Sequence, residues 1–410
     1  EQTSYEVQVA YVCSGTTGTF TAPYQFTTPQ VTYCTINSNN NTNGYISNVT
    51  VTPTNSYVMS NNSGANTYTN YSADPAKLIT LVRNSTNNSI SVAKSWLTTT
   101  TSSLAVGAWI DFNRNGIFET TERVISTTAN TTTPISATFT VPGTSYNGPL
   151  TLRMRVIFST SSITDPCATV NNGEIEDYAV KIIDLAPCTT AAPSPIVVSN
   201  ITASTALVSW INATGATYSL RYRTGTGAWT TIAAATNPYT IINLNGSTTY
   251  EVQVATTCGG TTGAWSSSVN FTTPAISYCN SGTATVTNAF INNITVTGTA
   301  TPTMSNNSGS STYTDFSNDP AKIITLARNS TGNVLSVGRT ILSGTYSTYA
   351  WIDFNGDGIF NNNPTTVAGG ERIMNLGYSS TTPVTATFPV PAGAYSGTNK
   401  VKMRVIVYFL

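Results

Sequence analysis

Tyr250-Glu251-Val252-Gln253-Val254-Ala255 decides the fold, because apolar Tyr250, Val252 and Val254 alternate with polar neighbours. A period of two places every second side chain on one face, which is the pattern of a half-buried strand. The same alternation recurs upstream in Ala206, Val208 and Trp210 and in Tyr218, Leu220 and Tyr222. Gly, Asn and Thr turns separate these runs, as in an antiparallel sandwich. The stretch is also a copy: Tyr5-Glu6-Val7-Gln8-Val9-Ala10 precedes it by 250 − 5 = 245 residues. That offset carries Phe26-Thr27-Thr28-Pro29 onto Phe271-Thr272-Thr273-Pro274, and Met59-Ser60-Asn61-Asn62-Ser63-Gly64 onto Met304-Ser305-Asn306-Asn307-Ser308-Gly309.

Such self-similarity is tandem duplication. The offset becomes 242 at Trp109/Trp351 and 249 at Phe139/Phe388, so the second copy has lost three residues and then gained seven. Both edits are expected in loops. A 245-residue period in a 410-residue chain gives one period plus 165 residues. Residues 1–29 match 246–274, and the second large unit stops at Leu410 before anything matching Gly173 to Val180. The chain therefore reads as a window on a longer array.

Composition narrows the function. Lys plus Arg and Asp plus Glu number 17 each, charged residues make up 8%, and His is absent. Thr, Ser and Asn crowd the chain, which suits short strands better than helices. Without a cluster of positive charge, nucleic acid and anionic membranes are poor partners. Without His there is no Ser-His-Asp or Cys-His constellation and no His-ligated metal. No apolar run is long enough for a membrane span, so no membrane insertion is expected in this segment. The expected class is non-enzymatic.

Cysteines stand at 13, 34, 167, 188, 258 and 279, with no Cys-x-x-Cys. Disulfides in an oxidising, exported setting fit better than zinc or reduced cytosolic thiols. Pairing within units gives Cys34–Cys167 and Cys188–Cys258, leaving Cys13 and Cys279 without partners in this chain.

Asp111-x-Asn113-x-Asn115-Gly116, followed by Glu119 and Glu122, fits a twelve-residue calcium loop: alternate oxygen ligands, a glycine at the sharp turn and a carboxylate at the twelfth place. Calcium takes six to eight oxygens at about 2.4 Å, and alternate side chains of a curled loop converge on one point. The second copy reads Asp353-x-Asn355-x-Asp357-Gly358, but its twelfth residue is Pro364. Its closing carboxylate is then Glu371, beyond the seven-residue insertion. Flanking sequence is strand-like, so neither loop is a helical EF-hand. A plain polar turn or another cation are the competing readings. Asp111, Glu119, Glu122, Glu174, Glu176, Asp177, Asp353, Asp357 and Glu371 are nine of the 17 acids, which favours a site over a turn. Glu174, Glu176 and Asp177 are possible additional metal ligands, although in a strand Asp177 faces away from the two glutamates.

Two resemblances follow from these residues. Pro187, Trp210, Tyr218-x-Leu220-x-Tyr222 and Leu244-x-x-x-Thr248-x-Tyr250 resemble a fibronectin type III domain over 186–274, with residues 1–29 as the end of another. The resemblance implies that Tyr250 is the corner tyrosine. Tyr33-Cys34, Trp109-Ile110-Asp111-Phe112-Asn113, Leu152-Arg153-Met154-Arg155-Val156, Pro166-Cys167 and Gly173-Glu174-Ile175-Glu176-Asp177-Tyr178 resemble the GEVED domain, departing from its naming motif only at Ile175. A second such unit spans 275–410 by the repeat and lacks that motif. Members of that family resemble this chain in alternating with fibronectin type III modules on secreted or surface proteins, especially of Bacteroidota.

The expected protein is all-β: tandem antiparallel β-sandwich domains in an extended multi-domain array. Its segments are 1–29, 30–185, 186–274 and 275–410. The expected role is an adhesin or stalk at a bacterial cell surface, bound to surface polysaccharide, other cells or copies of itself. A carbohydrate-binding region of a secreted hydrolase and a self-assembling filament subunit are the alternatives. Asp74-Pro75 and Asp319-Pro320 read as turn starts. Tryptophans 96, 109, 210, 229, 265 and 351 read as packing residues, with Trp229 and Trp265 the first to test for ligand stacking.

Overall fold

The computed structural model describes residues 3–282, 288–362 and 370–408. Among these residues there is no α-helix, and 3-10 turns at Pro75–Lys77, Thr120–Glu122 and Pro320–Lys322 interrupt a succession of strands. Asp74 and Asp319 cap two of the turns through bonds from Ala76 N and Ala321 N, as their position before proline leads one to expect. The all-β class holds throughout. Pro364, the twelfth residue of the second loop, lies outside the described residues.

In the first large unit, strands Gly44–Thr52, Met59–Asn62, Asn88–Trp96 and Ile135–Phe139 form one sheet. The facing sheet runs Arg123–Ser126, Ala105–Ile110, Leu152–Ser159, Gly173–Ile183, with Tyr68–Asn70 and Ile79–Val82 on its edge. Alternate apolar side chains meet between the sheets: Ile46, Val49 and Val51 from one, Val106, Ile110, Val156 and Val180 from the other. Burying such side chains is the main stabilising term, about 25 cal/mol per Å². The larger sheet is covered on its other face as well, where Trp109, Ile157 and Ile175 pack with Phe118, Ile163 and Val170. That second cover explains why almost the whole Gly173–Ile183 strand is buried. Tyr68–Asn70 and Ile79–Val82 pair parallel to that strand, a departure from the antiparallel expectation confined to short edge strands.

Two covalent staples hold the cover and the smaller domain. Cys34 bonds Cys167 and Cys188 bonds Cys258, as unit-by-unit pairing predicts, while Cys13 and Cys279 are unbridged. Beside the first staple lies Arg155, 1% exposed. Its guanidinium makes two 2.8 Å bonds to the buried carboxylate of Asp177 and donates to the carbonyls of Pro166 and Cys34. Arg404 repeats the contact, donating to the Cys279 carbonyl at 2.7 Å. Another cation pair follows the repeat: Lys94 and Arg339 are buried and donate to backbone carbonyls of Leu104 and Asn130 and of Tyr346 and Thr381. A chain sparing with charge thus uses several cations as internal hydrogen-bond donors.

The middle domain pairs Ile196–Ser199, Ala206–Trp210 and Tyr239–Ile241 in one sheet. Its other sheet holds Thr230–Ile232, Thr217–Thr224, Thr249–Cys258, Thr261–Thr262 and Val269–Thr272. Trp210, Leu220, Tyr250 and Val252 meet in the core, the faces that the period of two assigns inward. Asn245 N donates to the Tyr250 hydroxyl at 2.7 Å, the bond of a tyrosine corner. In the N-terminal copy Tyr5 and Phe26 are 50% and 45% exposed, against 5% and 6% for Tyr250 and Phe271. Those strands, Ser4–Val7 and Tyr24–Thr27, form only a two-stranded ribbon here. The second large unit repeats the first with sheets Met304–Asn307, Ala289–Thr297, Asn333–Ile341, Val384–Phe388 and Arg372–Ser379, Tyr346–Ile352, Met403–Tyr408.

Asp177→Ala would leave the Arg155 guanidinium buried and unpaired, which costs about 3–5 kcal/mol. Urea unfolding of the chain should show the first unit losing stability by that amount. Arg155→Ala should cost as much, and the double substitution should cost less than the sum.

Candidate metal centre

Each predicted loop begins where an interior strand of its sheet runs out. Asp111 follows Ala105–Ile110 and Asp353 follows Tyr346–Ile352, and both are fully buried. A buried carboxylate demands donors, and the loop curls to supply them. Asp111 accepts from Asn115 N at 3.1 Å and Gly116 N at 2.9 Å. Asp353 accepts from Gly356 N, Asp357 N and Gly358 N at 2.7, 3.2 and 3.0 Å. Both turns need φ near +85° at their closing glycine. There a Cβ would also lie 2.7 Å from the Thr32 carbonyl oxygen at Gly116, and 2.4 Å from that of Ser277 at Gly358.

The remaining residues separate the two copies. In the first loop Glu122 spends both carboxylate oxygens on backbone: Phe112 N and Asn113 N reach Oε1 at 2.7 and 3.3 Å, and Glu119 N reaches Oε2 at 3.1 Å. Glu119 accepts from the side-chain amides of Asn113 and Asn115. In the second loop Asp353, Asp357 and Glu371 bring one oxygen each within 4.8 Å of one another, the one such group of three acids among the described residues. Asn355 lies among them, its amide donating to Asp357 at 2.9 Å. Glu371 is fully buried, and while Oε2 accepts from Asn361 N at 2.9 Å, Oε1 has no hydrogen-bond partner. The twelfth-position rule favours the first loop; the geometry favours the second, because Glu371 brings a carboxylate oxygen beside those of Asp353 and Asp357.

The electrostatics agree with crowding. Burial, followed by the charges of Asp353 and Asp357, pushes the Glu371 carboxyl up to about 7. Burial also raises Asp353, opposed by the 2.8 Å bond it accepts from the Tyr278 hydroxyl. Tyr278 itself is pushed well above its ordinary range by burial and by the Asp353 charge. Sequence reasoning did not find Tyr278; its position one residue before Cys279, mirrored by Tyr33 before Cys34, was the available signal.

Trp229 and Trp265 are taken up within their own domain. The Arg221 guanidinium sits 4.2 Å from one ring centroid and 4.3 Å from the other, and Arg223 lies 4.1 Å from Trp229. Arg223 is bonded in turn to Glu251. This cation–π ladder supports packing rather than ligand stacking.

The Gly173-Glu174-Ile175-Glu176-Asp177 motif does not join the loop. Alternation puts Glu174 and Glu176 on the face of Tyr178 and Val180, between the sheets, and Asp177 on the opposite face with Arg155 and Arg153. Glu174 accepts from Ile46 N at 2.7 Å and Glu176 from the Tyr178 hydroxyl at 2.6 Å, and the second oxygen of each has no partner. Burial pushes Glu174 up to about 8, aided by the Glu176 charge. The folded state therefore holds a proton that the unfolded chain releases near its ordinary value of 4.5. Between these values the native state binds more protons, so stability contributed by this group falls as pH rises. Urea midpoints measured from pH 5 to pH 8 should decline for the wild type, and Glu174→Gln should flatten that decline.

Comparison with known proteins matches three stretches of the chain. The family model described as the GEVED domain matches residues 105–181 and 347–409, and that of the fibronectin type III domain matches 191–272. The sandwich around the first match also takes in strands from Gly44 to Trp96. No curated protein matches the chain. Similar solved structures include one described as a myokine, 20% identical, covering 21% of this chain and 99% of its own at a TM-score of 0.19. The fibronectin type III domain of human contactin 1 is 18% identical, with coverages of 24% and 92% and a TM-score of 0.20. Three such domains of chicken contactin 1 are 12% identical, with coverages of 66% and 76% and a TM-score of 0.19. Both matched families are non-catalytic modules, and with two disulfides they suit an extracellular setting. The chain thus matches the GEVED domain twice, with a fibronectin type III match between the two.

Proposed function

We propose that this chain is a non-enzymatic segment of a cell-surface adhesin or stalk, in which calcium and disulfides stiffen a row of sandwiches that space and present binding faces. The observation that carries the calcium reading is the second loop: three acid oxygens within 4.8 Å, with one of the acids, Glu371, fully buried and its Oε1 without a hydrogen-bond partner. Like charges so placed repel without a cation between them. Hard oxygens from Asp353, Asn355, Asp357 and Glu371 suit calcium, which tolerates irregular geometry. The first loop, with Asp111, Asn113, Asn115 and Glu119, is the weaker site, since Glu122 is already saturated by backbone donors. Surface polysaccharide, other cells and copies of the same protein are the proposed partners, met through neutral Thr/Asn surfaces rather than through charge.

Isothermal titration of the chain with calcium should give a dissociation constant of roughly 10⁻⁴ to 10⁻³ M, the range of extracellular modules. Asp353→Ala should remove the tighter site and the rise in melting temperature that accompanies it. Asp74→Ala, at a mere turn cap, should leave both intact. No heat and no shift in millimolar calcium would defeat the calcium reading.

A further inference from the structure

The second loop is not only a ligand cluster; it is also the surface on which two domains meet. Ser204, in the turn between Ile196–Ser199 and Ala206–Trp210 of the fibronectin type III domain, donates its Oγ to the Asn355 carbonyl at 2.8 Å. Gly356 is close-packed behind that bond, since a Cβ there would stand 3.4 Å from the Ser204 Cβ and 2.9 Å from the Tyr395 ring. Tyr395 N donates to the Phe354 carbonyl at 2.6 Å, and its hydroxyl reaches Asn245 Oδ1 of the fibronectin type III domain at 3.2 Å. Ser396 N and Thr398 N donate across the same joint to the side chains of Asn243 and Asn245 at 3.1 and 2.8 Å. The segment between the domains is tied in too, through Tyr278 on Asp353 and the Ser277 carbonyl packed on Gly358.

We infer that a cation held by Asp353, Asn355, Asp357 and Glu371 locks the joint between the fibronectin type III domain and the second GEVED domain. The inference rests on the calcium reading above and adds a consequence to it. Without the ion, mutual repulsion leaves the loop several conformations, and docking Ser204 on Asn355 must order it. With the ion, the loop is ordered beforehand and the joint forms at lower entropic cost. The coupling is reciprocal, so the formed joint must tighten cation binding by the same factor.

The chain contains its own control. At the other end of the fibronectin type III domain, Val58 N donates to Ser209 Oγ, and Asn212 bonds Asn55 through backbone and side chain, at 2.9 to 3.0 Å. None of the proposed cation ligands takes part in that joint.

The test is hydrogen exchange followed by mass spectrometry on the full chain, with and without millimolar calcium, beside isothermal titration of the same samples. Peptides covering 202–206 and 243–247, which contain no ligand, should exchange at least about threefold more slowly in calcium. Peptides covering 209–213 should not change. The double variant Ser204→Ala, Asn245→Leu should still bind calcium, more weakly by that same factor, and lose the slowing. Calcium heat without any slowing at 202–206 and 243–247 would overturn the coupling while leaving the cation site standing. Equal slowing at both joints would overturn it as well, by showing a general stabilisation. Absence of calcium heat would remove the site and the coupling together.

Discussion

A carboxylate placed at the dry end of a strand organises each large unit. Asp111 and Asp353 have no solvent to accept from, so the loop that follows must turn N–H groups inward, from Asn115 and Gly116 in one copy and from Gly356, Asp357 and Gly358 in the other. The turn fixes the glycine, and the glycine brings a neighbouring carbonyl into contact where any side chain would collide. From that one requirement come the position of the entering segment, the direction of Phe112 and Phe354 into the cores, and the placing of the other loop oxygens. A charge that costs free energy to bury becomes the reference point for a loop, a core residue and a domain boundary.

Much of this was legible in the sequence. The alternation of Tyr250, Val252 and Val254 gave strand and face together, because side-chain direction in a strand follows position. The 245-residue repeat located corresponding structural residues, so Arg155 and Arg404 contact the cysteine carbonyls in the same way. Disulfide partners followed from counting within units. What could not be read were features set by three-dimensional proximity across long separations. Glu371 stands beside Asp353 and Asp357 although it lies well past the twelfth position, and Glu122 is drained by backbone donors that no spacing announces. The contact of Ser204 with Asn355 spans 151 residues and two domains. The parallel edge strands lie on a sheet covered on both faces, and a pattern of apolar residues records that burial without saying by what.

The Arg–Trp ladder of the middle domain shows how this composition handles aromatic surface. Two indoles that a sequence offers as stacking platforms are each capped by a guanidinium from the adjoining strand. A sheet face that is thereby both greasy and charged stays wetted without adding many ionic groups. The same economy appears inside, where Lys94 and Arg339 serve loop carbonyls instead of carboxylates.

The disulfides also set how the chain responds to mechanical load. Cys34 lies where the first large unit begins and Cys167 just ahead of its last strand, at a sequence separation of 133. A pull applied at the two ends of this unit runs through the sulfur bridge, and everything enclosed is bypassed. Even if the sandwich came apart, only the short stretch from 168 to about 185 could pay out, at most about 3.5 Å per residue. The bridge from Cys188 to Cys258 shortens the next module's run by another 70. In these two bridged domains the covalent path has hard stops built in, and their maximum length under tension is decided by sulfur rather than by the strength of the folds.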